Sequence, residues 1–270
     1  MRKERIMKTK NLLVLLPAIL LLLLTDCSQQ PEEDVIWYTK ERVNTYFGVQ
    51  TIRDVYEYNE DWSTGSITTY VDDALKSTIT YEHTETGYIT HGVGQDGAEE
   101  TMEVIVTRDD AGNAIRTEQY VNGQLSSVSE STFDENGNRL TFNTHVLEPD
   151  LYLRTETEYD ADGKKLRETT DNGYAVTTTE YTYDSKGRLV RETGTDSPAW
   201  TEYTYAKNDT VQTATFYDEN GNLSGTQVTT YDPYGNALLR ESFDANGEVT
   251  ITMAFSYIST DGRTSSGIAG

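Results

Sequence analysis

The segment Tyr183-Asp184-Ser185-Lys186-Gly187-Arg188-Leu189 shows the pattern on which the fold of this chain depends. Asp is favoured at the first position of a type I turn. Gly three residues later can take the left-handed conformation that a bulged hairpin requires. The aromatic residue before the Asp ends one strand, and the Leu after the Gly begins the next. The segment therefore predicts a β-hairpin.

The same phrase, an aromatic residue followed by Asp-x-x-Gly, recurs along the chain. Further copies begin at Phe133, Tyr159, Tyr217, Tyr231 and Phe243, and Asp109 opens a copy whose aromatic is replaced by Arg108. Weaker turn signals lie between these copies, so turns recur about every 10 to 15 residues. Short alternating strands at that spacing predict an all-β antiparallel meander, which we expect to be elongated or curled.

The segments Tyr183 to Leu189 and Tyr217 to Leu223 resemble the YD repeat of RHS and teneurin-type proteins. The resemblance covers roughly residues 108–250 and, more loosely, residues 50–107. In that family the repeats form a continuous sheet that spirals into a shell, so the resemblance implies a β-repeat sheet here. This chain has fewer repeats than a closed shell needs and no effector segment after them. We therefore expect the fold to carry over and the delivery of a toxin not to.

The first 26 residues differ in composition from the rest. A basic flank precedes the apolar run Leu12 to Leu24, which is about thirteen residues long, whereas a membrane span needs roughly 20. This is typical of a secretory signal. Leu24-Thr25-Asp26-Cys27 resembles the lipobox of bacterial lipoproteins, although Asp26 stands where a small uncharged residue is usual. The resemblance implies lipidation at Cys27; the alternative is an ordinary signal and a secreted, unanchored protein.

These patterns divide the chain into four segments. They are a lipoprotein signal peptide (1–26), the lipidated Cys27 with a polar tether (27–35), a β-repeat domain (36–262) and a polar tail (263–270). We expect an extracytoplasmic protein held to a bacterial membrane by the lipid on Cys27. Because Cys27 is the only cysteine, the domain has no internal disulfide.

The domain is strongly acidic. Residues 1–26 hold five of the 22 Lys and Arg residues and two of the 45 Asp and Glu residues, so the remainder carries a formal charge of −26. Nucleic-acid binding depends on clustered Lys and Arg, so nucleic acid is excluded as an expected partner. Cations and basic protein surfaces are the partners that such a field favours.

Aromatic side chains are the candidate ligand contacts. Trp37, Trp62 and Trp200 are the expected anchors if one face of the sheet stacks on a sugar ring or a protein partner. The alternative is that these aromatics form the thin core of a curled sheet.

The candidate metal ligands are few. His83 and His91 flank a predicted turn and could hold zinc together with a nearby Glu, although both also fit an apolar strand face as packed histidines. Asp160 and Asp162 partly resemble a calcium loop, but turn geometry already explains both residues. We find no phosphate loop and no nucleophile motif, and we expect no cofactor.

The sequence thus predicts a non-catalytic, lipid-anchored envelope protein that binds a glycan or another protein, or has a structural role there. Two alternatives remain open. One is an extracytoplasmic hydrolase that uses an Asp/Glu pair in a groove of the sheet. The other is a relic of a larger RHS-type shell protein.

Overall fold

A computed structural model describes residues 35–94, 97–195 and 199–268. The predicted signal peptide, Cys27 and most of the predicted tether lie outside these residues. The described chain forms nineteen β-strands. Within it, no helix has the length and apolar character needed to cross a membrane.

The strands follow one another at short intervals along the chain. Their bounds are β1 Trp37–Tyr46, β2 Gln50–Tyr58, β3 Thr64–Val71, β4 Ala74–His83, β5 Gly87–Gly94, β6 Glu99–Arg108, β7 Ala114–Val121, β8 Gln124–Phe133, β9 Arg139–Val146, β10 Leu151–Tyr159, β11 Lys165–Asp171, β12 Val176–Tyr183, β13 Leu189–Gly194, β14 Trp200–Ala206, β15 Val211–Tyr217, β16 Leu223–Tyr231, β17 Ala237–Asp244, β18 Val249–Ser259 and β19 Thr264–Ser266.

Consecutive strands pair antiparallel, and the first strand also pairs with the eighteenth. Trp37 lies opposite Ser259 and Tyr46 opposite Ile251, so β1 to β18 form a closed barrel. Strand β19 pairs with β18 at residues 256–258, past the part of β18 that pairs with β17. The all-β antiparallel prediction is confirmed. The elongated or curled open meander is wrong, because the β1–β18 pairing joins the two ends of the sheet.

The closed barrel has two rims. We call the rim at which β1 begins the N-terminal rim; it holds the turns that follow even-numbered strands, at residues 59–63, 84–86, 109–113, 134–138, 160–164, 184–188, 207–210, 232–236 and 260–263. The opposite, distal rim holds the turns that follow odd-numbered strands; their described residues are 47–49, 72–73, 97–98, 122–123, 147–150, 172–175, 195, 199, 218–222 and 245–248.

The Asp of the repeated phrase holds its own turn together. Asp134 Oδ1 accepts hydrogen bonds from the backbone N–H groups of Asn136 (2.9 Å) and Asn138 (2.8 Å), and Oδ2 accepts one from the Asn138 amide (2.8 Å). The same backbone bonds recur at Asp109, Asp160, Asp184, Asp218, Asp232 and Asp244. These bonds favour the ionised carboxylate and lower the pKa of Asp134, the Asn138 amide contributing most.

Tyrosines near the N-terminal rim tie each strand to the one before it. The Tyr159 hydroxyl donates to the carbonyl of Arg139 (3.0 Å), and the Tyr205 hydroxyl donates to that of Leu189 (2.8 Å). The residue after the turn glycine then covers the next tyrosine, since the Arg188 guanidinium lies 4.5 Å from the Tyr205 ring centroid. Tyr159 and Tyr205 therefore each join two neighbouring strands near this rim, and the Tyr205 ring packs against the Arg188 side chain of an adjoining turn.

The two faces of the sheet differ in burial. Directly paired residues share a face, and one face carries most of the buried side chains: Asn44, Asp54, Tyr88, Thr90, Met102, Val104, Val106, Ser127, Thr157, Ala214, Thr229 and Arg240. This is the inward face. The outward face carries charge on its strands, where exposed Glu158, Arg167 and Glu180 pair across β10, β11 and β12 near the N-terminal rim.

Removal of the Asp134 carboxylate tests the role of the turn. We expect Asp134→Ala to lower the melting temperature at pH 7 by about 2–4 °C. Because the folded pKa is depressed, the carboxylate stabilises the fold above its unfolded pKa, and this contribution is lost as the pH falls through the folded pKa. The difference from wild type should therefore shrink below about pH 4. Glu135→Ala, in the same turn, is the control; an equal loss there would contradict the assignment.

Candidate functional site

Each of the three tryptophans lies against another aromatic ring. At the N-terminal rim, ring centroids are 4.9 Å apart for Trp37 and Tyr234, and 5.1 Å apart for Trp62 and Tyr38. Trp200 belongs to a separate cluster on β14 and β15. Two of the three expected anchors therefore lie at the same rim: Trp37 at the start of β1 and Trp62 in the turn between β2 and β3.

These rings at the N-terminal rim fall into two groups, Trp37 with Tyr234 and Tyr38 with Tyr58 and Trp62, which we together call the aromatic patch. Arg263 packs against one part of it, with its guanidinium carbon 5.7 Å from the Trp37 ring and 5.2 Å from the Tyr234 ring. Arg263 also donates a hydrogen bond to the Tyr234 hydroxyl (3.2 Å). The patch thus combines flat apolar faces with a cationic donor at its edge.

Trp62 occupies the turn position that is glycine in the other copies of the repeat. In the turn between β2 and β3, Trp62 N–H donates to the carbonyl of Asn59 (2.9 Å), as Gly112 N–H does to that of Asp109 (2.9 Å). Segment 58–62 is therefore a further copy of the repeat. The sequence pattern missed it because Asn59 replaces the Asp and Trp62 the Gly.

The backbone of Trp62 is strained. Its φ is +65°, a left-handed conformation that is a genuine outlier for a bulky residue and costs roughly 1–2 kcal/mol. The indole lies nearly parallel to the Tyr38 ring, with an interplanar angle of 16°. Burial raises the pKa of Tyr58, whose protonated hydroxyl donates to the carbonyl of Thr39 (2.6 Å). The fold therefore maintains a costly conformation that presents an indole at the rim.

Trp200 lies on the outward face. Its ring stacks on Tyr217 (4.8 Å, 17°), and the Arg191 guanidinium carbon lies 5.0 Å from it. Arg191 in turn forms an ion pair with Glu202 (3.2 Å). Trp200 contributes nothing to the aromatic patch, which lies at the opposite rim.

The two candidate zinc ligands do not meet. Tyr88 lies opposite His83 on β4 and β5, whereas Thr80 lies opposite His91, so the two histidines are on opposite faces of the sheet. His83 points inward against Tyr88 and hydrogen-bonds the carbonyl of Thr64 (2.8 Å). His91 points outward, 3.9 Å from Glu82. One ion therefore cannot bind to both.

The carboxylate of Asp160 is occupied by its turn. Its Oδ1 accepts from the backbone N–H groups of Asp162 (2.9 Å) and Lys164 (2.8 Å), which is turn chemistry. In the part of the chain that the structure describes, no three His, Cys, Asp or Glu side chains are grouped so as to hold a metal ion.

An inward cluster of acids and tyrosines was missed from the sequence. Tyr181 lies directly opposite Glu192 on β12 and β13, and Glu168 lies on β11. Strand spacing puts β11 and β13 about 9.5 Å apart. Lys165 Nζ binds Glu168 (2.5 Å), whereas burial raises the pKa of Glu192. Period-2 alternation anchored at Tyr181 could have identified both acids as inward.

Comparisons with known proteins give distant likenesses. No protein-family model and no curated protein matches the chain. A porin-like protein from Bacteroides uniformis is 11% identical, with a TM-score of 0.44, over 81% of this chain and 97% of that one. The TcdB2-TccC3-Cdc42 complex is 10% identical, with a TM-score of 0.31, over 77% of this chain and 14% of that one. Both are too distant to assign a function.

The strain at Trp62 can be measured with two variants. Trp62→Gly relieves the left-handed conformation but loses the ring stacking, so we expect its stability to lie within about 1 kcal/mol of wild type. Trp62→Ala loses the stacking and keeps the strain, so it should be less stable than Trp62→Gly by about 1 kcal/mol. Urea unfolding measures both values. Equal stabilities for the two variants would show that Trp62 is not strained.

The buried Glu192 predicts a pH-dependent stability. Because its folded pKa is raised, its protonated form suits the fold, and stability is lost as the pH rises through that folded pKa. Glu192→Gln should therefore raise the melting temperature at pH 7–8 and make no difference below about pH 4. Glu202→Gln, on the outward face of the neighbouring strand, is the control. A lower melting temperature for Glu192→Gln at pH 7 would be the contrary result.

Proposed function

We propose that this protein is a non-catalytic component of the bacterial envelope, anchored by a lipid on Cys27, that binds a glycan through the aromatic patch. The observation that carries the proposal is Trp62. At the position where the sister turns have glycine, the chain keeps a bulky residue in a strained conformation, with the ring stacked on Tyr38. Strain that persists in a folded protein is typical of sites where a side chain must be presented for binding.

The chemistry of the patch suits sugar rings. Flat indole and phenol faces can cover the C–H faces of a pyranose, and polar groups at the edge can bind its hydroxyls. Arg263 provides donors beside Trp37 and Tyr234, and Asp61 provides a carboxylate beside Trp62. The rings come from β1, β2 and two turns, so the platform is held by paired strands on several sides.

The tether supports an envelope location for the patch. Val35 lies eight positions after Cys27, a distance that an extended chain spans in at most about 29 Å. Because Trp37 opens β1 at the N-terminal rim, a lipid on Cys27 would hold this rim near the bilayer. The outward charges of Glu158, Arg167 and Glu180 do not suit burial in lipid, since a barrel that spans a membrane has an apolar outward band.

The hydrolase alternative has one observation in its favour. Glu168 and Glu192 lie on the same inward face, with Glu192 held in an environment that favours its protonated form and Glu168 paired with Lys165. Two carboxyl groups in different environments are what glycoside hydrolysis uses. Release of soluble sugar by wild type, abolished in Glu192→Gln, would support this second function.

Co-sedimentation tests glycan binding. Residues 29–270, which contain the whole barrel, are mixed with insoluble cell-wall material and a panel of insoluble polysaccharides. We expect saturable pelleting with at least one of them, and at least a tenfold weaker association for Trp62→Gly. Trp200→Phe, in the other aromatic cluster, should bind as wild type does.

The two parts of the proposal fail separately. Absence of pelleting with every material, or unchanged pelleting of Trp62→Gly, would contradict glycan binding by the patch. The anchor is tested on the full chain, which should partition into detergent and lose this behaviour in Cys27→Ala. A full chain that remains soluble would contradict lipidation alone.

A further inference from the structure

A groove of about 500 Å³ lies on the outward face of β8 to β11, near the distal rim. It is therefore at the opposite end of the barrel from the aromatic patch. The side chains and backbone that line it belong to Val128, Glu130, Asn143, Thr144, His145, Tyr152, Leu153, Arg154, Asp171 and Gly173.

Two rings form one side of this groove. His145 and Tyr152 lie opposite each other on β9 and β10 and stack at 3.9 Å, with 13° between their planes. The His145 ring is fixed from its edge by Asp150, 2.8 Å away. Tyr152 remains 58% exposed, and Tyr174 in the next turn of the distal rim is 86% exposed. The groove thus offers a fixed ring pair with open aromatic surface beside it.

Exposed apolar side chains concentrate at the same rim. Of the fourteen large apolar side chains that are exposed in the described chain, eleven lie in distal turns or in the strand residues next to them: Phe47, Val49, Leu75, Val93, Leu125, Leu151, Tyr152, Tyr174, Val176, Leu223 and Val249. Around the groove these are Tyr152, Tyr174 and Val176, the last of which lies opposite Asp171. Exposed apolar surface bordered by charge is typical of an interaction site.

The charge around the groove is negative. Asp171 lines it and Glu148 and Asp150 lie in the adjoining distal turn, whereas its one lining cation, Arg154, is already paired with Glu156. Glu130 is paired with Arg116, which also binds Glu118. Within the described residues, no distal turn contains Lys or Arg. The partner that complements this surface carries positive charge and apolar side chains.

We propose that this groove docks a basic, partly apolar peptide segment of another protein, whose apolar side chains lie on Tyr152 and Tyr174 and whose cationic groups meet Asp171 and Asp150. A second copy of this chain fits poorly, since the turns of both rims carry more acidic than basic residues. The site does not depend on the aromatic patch or on the lipid, so the envelope protein has a second and independent binding surface.

The experiment uses three synthetic peptides of equal length and measures their affinity for residues 29–270 at 0.15 M salt. One alternates Lys and Leu, one Lys and Ser, and one Glu and Leu. We expect the Lys–Leu peptide to bind at least about tenfold more tightly than the Lys–Ser peptide, and the Glu–Leu peptide not to bind. Equal affinity for both Lys peptides would overturn the proposal, because it would show attraction to net charge alone.

Variants locate the site. Tyr152→Ala and Asp171→Asn should each weaken binding of the Lys–Leu peptide by about fivefold or more. Asn at 171 can still accept the turn hydrogen bond that Asp171 accepts from Gly173 N–H (2.8 Å). Asp73→Asn is the matched control, since it removes the same charge from a distal turn away from the groove, and it should weaken binding by less than about twofold. Equal losses in Asp73→Asn and Asp171→Asn would overturn the proposal. The proposal would also be overturned if Tyr152→Ala and Asp171→Asn lost pelleting with a polysaccharide but kept their affinity for the Lys–Leu peptide.

Discussion

Pairing between β1 and β18 is the contact on which the rest of the structure depends. Without it, both strands would present a row of unpaired N–H and C=O groups, which is the usual route to edge-to-edge aggregation. With it, each barrel strand has a partner on both sides. Closure matters more here than in most domains because the apolar core is small: the buried cluster consists of Tyr88, Met102, Val104 and Val106. The hydrogen bonds of the strand ladders and of the turns must therefore hold much of the fold together.

The repeated phrase provides that order in two ways. Its Asp accepts hydrogen bonds from turn N–H groups, as at Asp134, and its aromatic residue can reach the carbonyl of the preceding strand, as Tyr159 does at Arg139. Both contacts are local to one hairpin, so each hairpin fixes itself and its neighbour. A sheet built this way tolerates polar side chains on both faces, which explains how a chain of formal charge −23 folds with few aliphatic residues.

The same locality decides what the sequence could predict. Hairpins such as Tyr183 to Leu189 could be predicted from the sequence because residues four apart make the turn. Closure of the barrel could not be predicted, since Trp37 and Ser259 are 222 positions apart and no turn chemistry links them. Trp62 was predicted as an anchor by residue type alone. Its strained turn was not recognised in the sequence because Asn59 and Trp62 depart from the repeat. The zinc site expected at His83 and His91 is ruled out, because the register of β4 against β5 puts the two side chains on opposite faces of the sheet.

Closure also builds one part of the aromatic patch. Trp37 belongs to the first strand and Tyr234 to the turn between β16 and β17, so in an open meander they would lie at opposite edges of the sheet. In the barrel their ring centroids are 4.9 Å apart, and Arg263 joins them from the turn after β18. Tyr38, Tyr58 and Trp62 form the second ring group of the patch at the same rim. The contact between Trp37 and Tyr234 therefore exists only in the closed state. The ring group at Trp62 and the groove at His145 and Tyr152 are made by neighbouring hairpins and would survive an opened seam. Of the surfaces described, only the Trp37 and Tyr234 part of the patch thus depends on the integrity of the whole barrel.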